Sequence, residues 1–177
     1  MENTADKAGK TEKSTDKTDK SAAGKITDEK FMRAAIKEAA RAAAKGEIPV
    51  GAVVVFGGKI VARGHNLRIT GCDATAHAEV VAIKKAGKKL SRWNLADCDL
   101  YVTLEPCAMC GGAVVNARIR RLVFGAYDHR FGCCGTLVNI ACFEKLNHRA
   151  VVVGGVLEKE CAEILTGHFR RMRGSGD

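Results

Sequence analysis

The sequence predicts an α/β domain: a mostly parallel central sheet covered by helices on both faces, with an antiparallel hairpin near its start. Three observations carry this reading. Apolar runs of strand length alternate with segments of helical spacing in the order α-β-β-α-β-α-β-α-β-α. Strands that alternate with helices pair in parallel and are covered on both sides. The first two strand runs are separated only by Gly57-Gly58, a hairpin signal. Finally, 177 residues, 46% of them apolar and spread in short runs, suffice for one domain with a substantial core.

The elements follow in order. Residues 1–25 contain no Leu, Ile, Val or aromatic side chain. Such a segment buries too little apolar surface to offset its ordering entropy, so a disordered polar tail is expected there and a folded domain over 26–177. "TDEKFMRAAIKEAARAAAKG" reads as a helix, with Thr27 as cap, Asp28 and Glu29 in the first turn and Gly46 at the end. Phe31, Ala35, Ile36, Ala39 and Ala43 give it an apolar face. "VGAVVVF" and "KIVARGH" form the hairpin. A polar loop leads to a helix from His77 to about Lys89. "DLYVTLE" is a strand, "CAMCGGAVVNARI" a helix, "RRLVFGA" a strand, "TLVNIACF" a short helix and "RAVVVGGV" a strand. "EKECAEILTGHFRRMR" closes the chain as an amphipathic helix with a basic end at Arg170, Arg171 and Arg173.

Composition bounds the function. The formal charge is +9, of which the first 25 residues, with six Lys against five acidic residues, supply only +1. The basic excess therefore belongs to the folded part and favours a polyanionic partner such as nucleic acid. No apolar stretch approaches the ~20 residues that span a bilayer, and the N-terminus lacks the apolar core of a secretory signal. A cytoplasmic, reducing location is expected. There, eight cysteines at this density bind metal or fill the core and do not form disulfides.

The chemistry begins with "TAHAEVVAI". His77 and Glu79, read alone, are ordinary helix-start residues. Thirty residues on, "TLEPCAMCGG" places Cys107 and Cys110 three apart at a helix start, on one face and within reach of a single ion. Pro106 suits that start because its missing N–H is not needed there. A lone C-x-x-C is equally a redox pair or half of a structural zinc site. The redox reading needs a thioredoxin-like context that the pattern does not supply. A structural site needs four protein ligands, and Cys72, Cys98, Cys133, Cys134, Cys142 and Cys161 are isolated or too closely spaced. His77 with the two thiolates makes a three-ligand site whose fourth position is open to water, as in catalytic zinc sites. Glu79 then serves as proton shuttle.

H-x-E followed by P-C-x-x-C resembles the zinc-dependent nucleoside deaminase superfamily. The resemblance narrows through "EIPVGAVVV", "GHNLR", "LYVTLEPCAMCGGAVVNARI", "LVFGAYDHRFGCCGTL" and "NHRAVVVGGVLEKECAEIL". These stretches are similar to the bacterial tRNA adenosine deaminases, which convert the wobble adenosine of an anticodon to inosine. The resemblance implies a three-layer α/β/α cytidine deaminase-like fold with a five-stranded mixed sheet. It implies one Zn2+ per subunit on His77, Cys107 and Cys110, Glu79 as proton shuttle, and a homodimer acting on a tRNA anticodon stem-loop. It also implies that Asn66 contacts the flipped nucleotide, the Ala78 backbone holds the base, Asp128 meets the sugar-phosphate region and Phe169 touches the anticodon loop. The alternative within the same chemistry is a deaminase of a free base or nucleoside of guanine or cytosine type.

Taken without the resemblance, Asn66 is a turn residue and Asp128 a loop or cap residue. Lys84, Lys85, Lys88 and Lys89 read as a solvated helix face, and His65, His129 and His148 as local hydrogen-bond partners and not a second metal site.

Overall fold

The computed structural model describes residues 16–174. Helix α1 spans Asp16–Ala43, the hairpin strands β1 and β2 span Gly51–Phe56 and Lys59–His65, and α2 spans Ala78–Leu90. Strand β3 (Cys98–Leu104), α3 (Ala108–Asn116) and β4 (Arg121–Ala126) follow. A 3-10 turn at Ile140–Cys142, β5 (Val151–Val153) and α4 (Glu158–Gly174) complete the chain. Gly57 and Gly58, at φ +54° and +71°, both adopt the left-handed conformation that a two-residue type I′ hairpin turn requires.

The sheet order is β2-β1-β3-β4-β5. The two pairings of β1 are antiparallel, whereas β3–β4 and β4–β5 are parallel. The sheet is thus mixed, and less parallel than alternation alone suggested. Four strands point one way and β1 alone runs against them. It lies between β2 and β3 because the α2 connection carries the chain over β1 before re-entering the sheet.

Alternate strand residues supply two apolar faces, as the pleat dictates. Ala52, Val54, Leu100, Val102, Leu122 and Phe124 pack with α2 and α3 residues such as Ala78, Ala82 and Val114. Val53, Val55, Tyr101 and Val123 pack under α1 and α4 with Phe31, Met32, Ala35 and Cys161. This is the three-layer arrangement expected. Two strand glycines permit unusually close helix approach. A Cβ on Gly51 would stand 2.1 Å from the Ala35 carbonyl oxygen of α1, and one on Gly64 would stand 2.3 Å from that of Ala78 at the start of α2.

Three local expectations differ. Residues 1–15 of the expected tail lie outside the described residues, but 16–25 belong to α1. Thr27 is therefore interior to the helix and not its cap. Between 16 and 26 there is no proline and one glycine, so nothing in the backbone halts a helix propagating back from its anchored part. Pro106 precedes the cap residue Cys107 and stands outside α3. The helix expected in "TLVNIACF" shrinks to the single 3-10 turn, closed by the Asn139 side chain accepting from Cys142 N.

Asp28 of α1 is buried beneath this layer. It accepts from the Tyr101 hydroxyl at 2.7 Å and from Arg121 Nη1 at 2.8 Å, tying α1 to β3 and β4. No helix among the described residues is long and apolar enough to cross a membrane.

Candidate active site

Loops leaving the carboxyl ends of β2, β3 and β4 converge at one edge of the sheet, where open α/β sheets place their sites. His77 and Cys107 are the N-cap residues of α2 and α3, both extended, and neither side chain caps its own helix. Each is therefore free to project past a helix end. Cys110, in the first turn of α3, joins them from below and is fully buried.

The Nδ1 of His77 lies 3.7 Å from Cys107 Sγ and 3.6 Å from Cys110 Sγ, and the three donor atoms are all within 4.8 Å of one another. A tetrahedral zinc with bonds of about 2.3 Å to sulfur and 2.0–2.1 Å to nitrogen sets its N···S edge at about 3.6 Å. The donor set and its spacing therefore fit zinc, with three protein ligands and one position left over. Two helix N-termini face this point, and their dipoles favour the thiolate form. Hydrogen bonds from Cys110 and His77 bring the Cys107 thiol down to about 3, against its burial. Cys110, hydrogen-bonded to that thiolate and buried, is pushed up.

Glu79, only 4% exposed, follows in the first turn of α2. Burial raises its carboxyl above the ordinary range. Both His77 and Glu79 open onto a cleft of 740 Å³. Asn66, Cys107, Asp128 and Phe169 line the same cleft, so the structure brings together residues up to 103 positions apart (169 − 66). Ala78 differs: its side chain is fully buried in the core and the residue is not part of the cleft wall.

Several lining residues were not singled out from sequence. Arg68 follows Asn66 by two, and Tyr127, Arg130 and Phe131 surround Asp128. His129, expected to serve a local hydrogen bond, also faces the cleft. The available signal was position: "YDHRF" immediately follows the carboxyl end of β4. His65 and His148 do make local contacts, to Glu38 and to the Ile119 carbonyl oxygen. The four lysines of α2 are exposed, and all eight cysteines are free, with Cys98, Cys134 and Cys161 buried.

A buried carboxylate beside three side chains that could hold a metal ion, at the strand ends of a three-layer sheet, is an arrangement suited to a metal-dependent hydrolase. Residues 25–126 match the cytidine and deoxycytidylate deaminase zinc-binding region, and the chain belongs to this family of zinc-dependent hydrolytic deaminases. It is 53% identical to the tRNA-specific adenosine deaminase of Bacillus subtilis (strain 168) over 82% of this chain and 91% of that one. A solved tRNA:A34 deaminase, which carries out A-to-I editing at the wobble position of transfer RNA, superimposes with a TM-score of 0.74. It is 43% identical over 76% of this chain and 98% of that one. A guanine deaminase of Bacillus subtilis is 44% identical with a TM-score of 0.54, over 56% of this chain and 64% of that one.

Proposed function

We propose that this protein deaminates the wobble adenosine of a tRNA anticodon hydrolytically, giving inosine and ammonia. The observation that carries this is the 53% identity to a tRNA-specific adenosine deaminase across 91% of that relative's length. The similarity to guanine deaminase favours a second reading, deamination of a free base, but it covers a smaller share of both chains.

His77, Cys107 and Cys110 would hold the zinc, which when bound supplies Lewis acidity that brings the pKa of water near neutrality. Glu79 stands beside that position, shielded from solvent, and takes the proton from water for delivery to the departing amine. The Asn66 amide, 4% exposed on the cleft wall, orients the base. Asp128 meets the sugar-phosphate region and Phe169, at the far wall, offers a ring for an anticodon-loop base to stack on. The basic end of α4 adds phosphate affinity.

The protein acts as a cytoplasmic homodimer. Support for the dimer comes from exposed apolar side chains concentrated in one stretch, Phe131, Leu137, Val138, Phe143 and Leu146, a density unusual on a solitary domain. The deciding experiment incubates the protein with bacterial tRNA, then digests the RNA and measures nucleosides by mass. Free adenosine, cytidine and guanine are run in parallel. Inosine at the wobble position, with no ammonia from the free compounds, is expected. Ammonia from guanine or cytidine alone would replace this reading by the second.

A further inference from the structure

The motif "TLEPC" that introduces the metal-ligating cysteines contains a carboxylate with no part in the chemistry above. Glu105 is 2% exposed, directly after β3 and two residues before Cys107. Its carboxylate is surrounded by one segment of chain. Oε1 accepts from Cys134 N at 3.1 Å and Thr136 N at 2.8 Å. Oε2 accepts from Asp128 N at 3.1 Å and from the Thr136 hydroxyl. Gly132 closes over the group so tightly that a Cβ there would lie 2.4 Å from the carboxyl carbon. A carboxylate has about four lone-pair sites, and here all four are engaged.

The loop so held has no regular structure of its own and carries one wall of the cleft. Asp128 fixes the next turn of it, its Oδ1 accepting from Arg130 N at 2.9 Å and Phe131 N at 3.1 Å. The Pro106 carbonyl, next to Glu105, accepts from Cys133 N at 2.9 Å. The wall is thus built outward from the segment that bears the metal ligands.

We propose that Glu105 is a positioning residue: its carboxylate fixes the 127–136 loop, with Asp128 and Phe131, at a set distance from the metal-ligating cysteines, and so governs substrate affinity. An apolar residue would leave three N–H groups unpaired, that of Cys134 buried and those of Asp128 and Thr136 part-buried. An amide would set its own NH2 against donors at one of the two oxygen positions. Only a carboxylate accepts on both sides. This rests on the proposed contact of Asp128 with substrate.

The test uses the zinc-loaded full chain and an anticodon stem-loop RNA. Glu105→Gln should raise KM by about tenfold or more, as loss of a charge-assisted hydrogen bond implies, while kcat stays within about threefold and zinc remains at one per chain. Amide hydrogen exchange at Asp128, Cys134 and Thr136 should accelerate. In an Asp128→Ala background, Glu105→Gln should change KM much less, because the group it positions is gone. An additive effect, a fall in kcat at constant KM, or unchanged exchange would overturn the proposal. If Glu105→Gln does not fold, Thr136→Val removes one donor and keeps the carboxylate. It should raise KM severalfold, and unchanged KM and exchange would overturn the proposal in its turn. Should the wild type deaminate only a free base, the tRNA reading fails by itself. Accelerated exchange at Asp128, Cys134 and Thr136, which needs no substrate, then still tests the positioning of the loop by Glu105.

Discussion

His77 and Glu79 stand two apart in the chain yet open onto one cleft by different routes. His77 is a cap residue in extended conformation, so its ring projects beyond the helix. Glu79 lies inside the first turn, where burial favours its protonated form. The division of labour proposed for them is separable. Glu79→Ala should keep one zinc per chain and retain tRNA binding while lowering turnover by about 10²–10⁴-fold, the span typical of general acid–base groups. Metal analysis, filter binding and single-turnover assays check this, and turnover near wild type would remove Glu79 from its role. The cysteine pair of the cluster was legible in sequence because it is local: a C-x-x-C at a helix start admits few geometries, whereas His77, thirty residues earlier, was reached only through the H-x-E pattern. Glu105 was not legible, since its hydrogen-bond partners lie 23 to 31 residues away in an irregular loop. No periodicity marks such a group.

At the scale of elements, α1 is fastened to the sheet by a buried ionic contact as well as by apolar packing. Burial works against the Asp28 carboxylate, but hydrogen bonds from Arg121 and Tyr101 outweigh it and hold the group below the ordinary carboxylate range. Its folded value is thus lower than the unfolded value of about 3.9. The resulting stabilisation is complete above the unfolded value and is lost as pH falls through the folded one. Asp28→Asn should therefore cost about 1–3 kcal/mol near neutrality. The difference in Tm between variant and wild type should hold from pH 7 to about 5 and close below about 4. A gap that widened on acidification would contradict the assigned sign. The element pattern itself was readable, since continuous apolar strand runs and the glycine hairpin are short-range signals. The start of α1 was not, because composition alone does not show how far an anchored helix propagates. The helix expected in "TLVNIACF" was overestimated for a related reason: its first residue, Thr136, is held by Glu105, and only the turn closed by Asn139 remains.

For the whole molecule, the exposed apolar stretch from Phe131 to Leu146 begins in the loop that Glu105 holds and continues beyond it. Sedimentation equilibrium at micromolar concentration should return twice the chain mass. Val138→Glu, at a residue 53% exposed, should shift the equilibrium toward the single chain; a monomeric wild type would leave that surface to another partner. Overall topology was partly legible: α/β alternation gave the three layers and the site's edge of the sheet. That β1 alone opposes four co-directional strands was not evident, because the crossing of α2 over β1 is a long-range choice that local patterns do not encode.

The missing side chain at Gly64 acts as a ruler for the chemistry. The strand β2 meets α2 at a separation that leaves no room for a methyl group, since a Cβ would come within 2.3 Å of the Ala78 oxygen and 2.7 Å of the Ala82 nitrogen. Both contacts are backbone, so the helix itself must yield. Gly64→Ala would push the start of α2 outward by about 1 Å and carry His77 and Glu79 with it. Displacements of that size cost on the order of 10²-fold in rate. A variant that folds and binds tRNA, yet turns over about a hundredfold more slowly, would show that one hydrogen in place of one carbon, in a strand that never touches substrate, calibrates the catalyst.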